Sequence, residues 1–220
     1  MSKDFLSDTF WPSIAALCLG LASACSTLQA PVAAQSDYAL EPTPPAPAKK
    51  APSLAALTLI VGIPQASPGF DSRRMVYRHD SDKLSHYSDA QWIDTPARML
   101  APLIVAALAR EGSFHAVVAA PSAAAGDLRL DTQILRLQQN FGSRPNHVQF
   151  GLLAYVIDNH SRRVLAWREF EATATAPSED ASGGATAANA AVAAVVEQLV
   201  QFCNESAGTR PAPSAPPGRQ

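Results

Sequence analysis

Three extended runs in succession, Asp127 to Phe141, His147 to Asp158 and Val164 to Ala176, constrain this chain more than anything else in it. Polar turns around Gly142-Ser143-Arg144-Pro145-Asn146 and Asn159-His160-Ser161-Arg162 join them. Links this short cannot carry a parallel crossover, so the runs form an antiparallel meander. In the first run, apolar residues occupy Leu128, Leu130 and Ile134, then change phase to Leu135, Leu137 and Phe141. A period-two pattern that slips by one residue predicts a β-bulge near Ile134. In the second, Val148, Phe150, Leu152, Ala154 and Val156 define one face. Leu153, Tyr155 and Ile157 make the opposite face partly apolar as well.

Such a sheet needs cover, and two segments have the pattern to supply it. Asp94 or Thr95 is placed to cap a helix with Pro96 in its first turn, and Gly112 is placed to end it after Arg110 and Glu111. Its buried stripe is Leu100, Ile104, Ala107 and Leu108, with Leu103 beside them; Pro102 removes one backbone bond and predicts a kink. Ala187 to Phe202 predicts the second helix, with Val192, Val195, Val196 and Leu199 at helical spacing. Shorter strands are expected at Leu57 to Ile63, ended by Pro64, and at Phe114 to Ala119. Arg73 to Arg78 and Lys83 to Tyr87 form a hairpin that turns through His79 to Asp82. The expected fold is α+β: a single domain with a mostly antiparallel sheet and two helices packed on one face.

The N-terminus reads as an address. Ile14 to Ala24 is an apolar segment too short for the roughly 20 residues of a membrane span, and it closes in Leu21-Ala22-Ser23-Ala24-Cys25. That arrangement looks like a bacterial lipoprotein signal, in which Cys25 is acylated and the chain is cut before it. Ala22 stands where a bulky aliphatic is usual, and Lys3 is offset by Asp4 and Asp8. The alternatives are an ordinary cleaved signal peptide or a buried N-terminal helix that contains a cysteine. Residues 1–24 are therefore expected to be a signal peptide, and 25–52 a lipidated N-terminus with a Pro-rich tether, EPTPPAPAKKAP, preceded by a brief strand at Tyr38. The folded domain is expected over 53–205, and 206–220 as a disordered Pro-rich tail.

Removing Lys3, Asp4 and Asp8 from 17 basic and 19 acidic side chains leaves 16 and 17. A mature charge of −1 speaks against nucleic acid, whose phosphates reward a basic face. With Cys25 acylated, Cys203 has no intramolecular disulfide partner.

No catalytic or metal chemistry stands out, and no cofactor is expected. His79, His86, His115, His147 and His160 show no helical i, i+4 pairing and no HExxH. Ser85 and His86 are strand neighbours that point to opposite faces, and no GxSxG elbow occurs. Glu169 and Glu171 share a strand face that solvation explains. Gly183-Gly184 lacks the Gly-Lys-Ser/Thr of a phosphate loop, and Cys203 near a helix end reads as a structural thiol.

Taken in order, several segments carry a resemblance. They are the run ending at Cys25, Tyr38-Ala39-Leu40, Val76-Tyr77-Arg78, Leu84-Ser85-His86-Tyr87, Trp92, Thr95-Pro96, and Leu108 with Gly112, Phe114 and Val117. Asp127-Leu128-Arg129-Leu130, Val164-Leu165 and the Ala-rich last helix complete the series. In this order the chain resembles the ABC-type transport auxiliary lipoproteins, outer-membrane partners of MCE-type and paraquat-inducible-type lipid transport systems. It departs from them in keeping a single proline, Pro96, after Trp92, and in carrying Phe202 where a tryptophan is frequent.

The resemblance implies a non-catalytic lipoprotein, anchored through Cys25 and facing the periplasm from the outer membrane. Its implied partners are an MCE-domain protein and the ABC permease and ATPase of the same system. Ser26 after Cys25 is compatible with outer-membrane delivery. Tyr77, Arg78, Tyr87 and Trp92 are the expected docking residues, because aromatics and arginine anchor interfaces; packing as core or rim is the competing explanation. A stand-alone envelope lipoprotein that carries lipid in an apolar groove is the alternative function.

Overall fold

The structure, a computed structural model, describes residues 35–41, 56–79 and 83–208. The signal peptide, Cys25, nearly all of the Pro-rich stretch and the tail from residue 209 lie outside the described residues. In chain order the elements are β1 (Ser36–Tyr38), β2 (Thr58–Val61), β3 (Gln65–Ala66), β4 (Arg74–Arg78), β5 (Ser85–Trp92) and α1 (Pro96–Glu111). They continue with β6 (Ala116–Ala119), β7 (Leu128–Asn140), β8 (His147–Asp158), β9 (Val164–Thr175) and α2 (Ala181–Gly208).

β7 is the spine. Along one edge it pairs with β8 from Leu128 to Asn140, and β8 in turn pairs with β9, which forms the expected meander. The register slips between Ile134 and Arg136, so Leu135 is the extra residue of the bulge that the change of phase predicts. The other edge of β7 is shared in succession by β2, β3 and β4, all parallel to it. β6 adds to β2 and β1 adds to β5, again in parallel, while β4 and β5 pair antiparallel. The sheet is therefore mixed, where a mostly antiparallel one was expected. The reason is that β2, β3 and β4 each reach β7 running in its own direction.

One face of the sheet and both helices close a single core. Leu59, Leu128, Leu130, Phe150 and Leu152 from the strands meet Leu100, Ile104 and Leu108 of α1 and Val195 and Leu199 of α2, all fully buried. Each buried Leu or Ile stabilises the fold by about 1.5–3 kcal/mol relative to leaving it exposed. In α1, the Thr95 carbonyl accepts from the Arg98 and Met99 N–H groups, and Gly112 ends the helix at φ 71 in the left-handed region that glycine adopts without penalty. The helix runs unbroken through Pro102.

α2 starts six residues earlier and ends six later than the Ala187–Phe202 expected. The early start depends on Asp180, whose carboxylate accepts the Gly183 N–H at 2.8 Å. That bond first, and the Ser178 hydroxyl second, hold the Asp180 carboxyl below the usual range. Gly183 and Gly184 enter the helix because it passes close to Ser178 and Gln139, leaving no room for a Cβ at either position. By length and composition α2 could cross a membrane, but its Ala and Val face is buried in the core.

The segment after β1 is held tightly. Leu40 is buried, the Glu41 N–H donates to Asn189 Oδ1 at 2.7 Å, and Asn189 Nδ2 donates to the carbonyls of Ala39 and Ala185, both at 3.1 Å.

Candidate docking site

β4 and β5 leave their hairpin side by side, with Tyr77 opposite Ser85 and Val76 opposite His86. This brings Tyr77 and Tyr87 together with ring centroids 4.8 Å apart. Because Arg78 is in register with Asn140, Phe141 at the end of β7 joins them, 5.8 Å from Tyr77. His79 stacks on Phe141 at 4.8 Å and lies 5.4 Å from Tyr77. The result is a half-exposed aromatic cluster at the end of the sheet where α2 begins.

Its base is a polar chain. The Tyr87 hydroxyl donates to Gln139 Oε1 at 2.9 Å, Gln139 Nε2 donates to Asn146 Oδ1 at 2.7 Å, and Asn146 Nδ2 donates to the Ser178 carbonyl at 3.2 Å. Gln139 and Asn146 are buried, so each bond replaces water that the site excludes. Burial, then the nearby Asp180 carboxylate, push ionisation of the Tyr87 phenol far above its ordinary range, so it stays a neutral donor.

Of the four expected docking residues, the structure brings Tyr77 and Tyr87 into contact and sets Arg78, half-buried, beside them at the end of β4. Trp92 is different. At 3% exposure it is part of the core, because it ends β5 on the inward face beside Ala90. Phe141 and His79 complete the cluster. In the sequence Phe141 looks like the last apolar residue of a strand and His79 like a turn residue; only the β4–β7 register joins them.

A shallow opening lies beside Tyr87, lined by Met75, Val76, Trp92, Leu137 and Gly184 among others. Its enclosed space is about 10 Å³, room for about one water and far below the roughly 300–1,000 Å³ of ordinary ligand pockets.

One arrangement nearby has the outline of a catalytic triad. Ser143 Oγ lies 3.0 Å from His147 Nδ1, and His147 Nε2 lies 3.2 Å from Asn140 Nδ2. The protons are placed the wrong way for catalysis. Asn140 Oδ1 accepts from Gln138 Nε2 at 3.3 Å and Asn140 Nδ2 donates to Gln149 Oε1 at 2.8 Å, which fixes Nδ2 as the donor toward His147. Nε2 therefore accepts, and Nδ1 carries its hydrogen toward Ser143. A ring nitrogen that already holds a proton on that side cannot take one from the serine.

Elsewhere, burial pushes the Cys203 thiol up to about 12, which suits a structural residue and not a nucleophile. Glu171 lies 3.7 Å from Arg136, and Glu169 is exposed on the same strand.

A family model described as the ABC-type transport auxiliary lipoprotein component matches residues 38–200, most of the described domain. The chain belongs to this family. With membership comes the coarse role of an auxiliary lipoprotein of an ABC-type transport system, lipid-anchored and associated with the envelope. A solved Xanthomonas campestris protein assigned to DUF330 is similar with a TM-score of 0.68 at 24% identity, over 79% of this chain and 97% of its own. A second solved structure, described only as an uncharacterized protein, gives 0.62 at 12% identity over 77% of this chain and 99% of its own. A hypothetical protein from Chlamydia trachomatis gives 0.50 at 7% over 71% and 100%. At these identities the likeness is one of fold. No curated protein matches the chain.

Proposed function

We propose that this auxiliary lipoprotein is a non-catalytic docking module of an MCE-associated transport system that moves lipid or another hydrophobic solute across the envelope. Cys25 carries the acyl chains, the domain faces the periplasm from the outer membrane, and the MCE-domain protein is the partner it meets. The permease and ATPase of the same system supply the energy. The observation that carries this reading is the aromatic cluster of Tyr77, Tyr87, Phe141 and His79, with Arg78 at its edge, set on a buried polar chain. A rigid, half-exposed group of aromatics presents apolar area and polar edges at little entropic cost, which is what an interface anchor requires.

The test is co-purification of the MCE partner with the membrane-bound chain carrying Tyr77→Ala and Arg78→Ala together. Partner recovery is expected to fall at least tenfold, which corresponds to about 1.4 kcal/mol of lost binding, within the range of a single anchor residue. Unchanged recovery with a folded variant would sink the docking assignment. Native mass spectrometry of the soluble domain, freed of its lipid anchor, separates it from the carrier alternative, since co-purified phospholipid favours a carrier and its absence a docking module.

A further inference from the structure

The meander has a bulge in β9 as well as in β7. Val156 pairs with Ala166 and Ile157 with Val164, so Leu165 is an extra residue. Val164 and Trp167, three positions apart, therefore lie on one face, with Ile157 and Tyr155 opposite them on β8. It is the face turned away from the helices, because Ala154 and Val156, which alternate with Tyr155 and Ile157, belong to the core. Val164 is 54% and Trp167 65% exposed. Ile63, Leu84 and Ile93 are exposed too, but they lie beyond the ends of paired strands, whereas Val164 and Trp167 are fixed within one. The half-buried Ile157 and Tyr155 widen the pair into an apolar patch.

The turn that leads into the patch is closed and basic. Buried Asp158 accepts through Oδ1 from the His160 N–H at 3.1 Å, the Ser161 N–H at 2.7 Å and the Ser161 hydroxyl at 2.9 Å. The Arg162 N–H donates to the Asp158 carbonyl at 2.8 Å, with Arg162 at φ 61. Arg162 and Arg163 are both exposed, and neither enters an ion pair among the described residues. The other arginines nearby are matched, Arg129 with Asp131 at 2.8 Å and Arg168 with Glu205 at 3.3 Å. Glu169 and Glu171, on the face of Trp167, lie farther along β9 from the turn. The face is thus basic and apolar at the turn and acidic beyond it.

We infer that this face rests on anionic phospholipid, with Trp167 and Val164 among the headgroups and Arg162 and Arg163 on their phosphates. Tryptophan and tyrosine beside aliphatic side chains suit the boundary between hydrocarbon and water, and an arginine there keeps its guanidinium on phosphate while its stem lies on apolar surface. The two unmatched arginines select negative charge. A lipid-anchored chain is held beside a bilayer, so even a weak contact of its surface with lipid closes at high effective concentration. The aromatic cluster around Tyr77 is at the other end of β7, about 40 Å along the strand, and is thereby held clear of the lipid.

The experiment places the full lipidated chain in vesicles of phosphatidylethanolamine and phosphatidylglycerol. Trp167 is read as the difference between the parent's tryptophan emission and that of Trp167→Phe, in which the buried Trp92 cancels. The inference expects this emission to be quenched several-fold more by phospholipids brominated near the headgroup in these vesicles than in vesicles of phosphatidylcholine. Arg162→Gln with Arg163→Gln should lose the excess, and Arg162→Lys with Arg163→Lys should keep it. Equal quenching in the two kinds of vesicle, or an excess that survives both glutamines, overturns the inference. Shielding of Trp167 from acrylamide without quenching by bromolipid overturns it too and assigns the face to a second copy of the chain. A parent that floats with the vesicles while Trp167 stays open to acrylamide defeats the contact alone, whereas a parent that does not float removes the lipid anchor and the contact with it.

Discussion

At Gly184 the last helix passes so close to Gln139 that a Cβ would overlap the amide oxygen. That oxygen is the acceptor for the Tyr87 hydroxyl, and the same amide donates to Asn146. A methyl group at 184 therefore does more than crowd the core. It displaces the side chain that joins the Tyr87 hydroxyl to Asn146 in the β7–β8 turn. Overpacking of this kind costs about 1–3 kcal/mol. Gly184→Ala should lower the urea midpoint accordingly and weaken the near-ultraviolet circular dichroism of the tyrosines, because Tyr87 loses its fixed partner. A variant with the parent's midpoint and spectrum would show that Gln139 moves aside freely, and the polar chain would then not be the base of the site. None of this is legible in the sequence, where Ser182-Gly183-Gly184 has the composition of a loop. Gly184 answers to a side chain 45 positions away, and only the packed structure brings the two together.

The meander shows how far local pattern reaches at the level of elements. β7, β8 and β9 begin and end within one residue of the runs marked by alternation and turn residues, and the bulge falls where the phase changes. β3, two residues long, carries no periodicity that could reveal it. α2 is the instructive case, since its apolar stripe predicts the middle and its ends follow different rules. The N-terminal end is set by Asp180, whose carboxylate is held below its ordinary pKa by the Gly183 N–H and the Ser178 hydroxyl. A depressed folded-state pKa means that the charged cap contributes fully above the ordinary carboxylate value, near 3.9, and that the contribution is lost as pH falls through the lower folded value. Asp180→Asn keeps an acceptor for Gly183 but removes the charge that favours a helix N-terminus. Its melting temperature should lie below the parent's at pH 7, and the gap should close as pH falls below about 4. A gap that stays constant down to pH 2 would assign the effect to lost geometry instead.

For the whole molecule, the outcome that local pattern could not supply is strand order. Nothing within Thr58–Val61 or Arg74–Arg78 says that both lie parallel to β7, since each is a short apolar run compatible with either direction. The same holds for the N-terminal segment. By composition the Pro-rich stretch is a spacer between lipid and domain, yet both of its flanks are built into the fold: Leu40 is buried on one side and β2 lies at the heart of the sheet on the other. β1 covers the edge of β5, Asp37 accepts from Arg73 at 3.1 Å and from Gln91 at 2.8 Å, and Asn189 grips the backbone of residues 39 and 41. A chain that starts at Gln35 should therefore be a complete folding unit, and one that starts at Ser53 should not. The shorter chain loses the buried Leu40 side chain, worth about 1.5–3 kcal/mol, and leaves Asn189 without those two partners. It also bares β5, and an uncovered edge strand is a template for pairing with other chains. Thermal unfolding and light scattering of the two chains, purified side by side, should show a melting temperature several degrees lower and faster aggregation for the one that begins at Ser53. Equal stability would mean that β1 is an adornment of the sheet and that the fold is complete from Ser53.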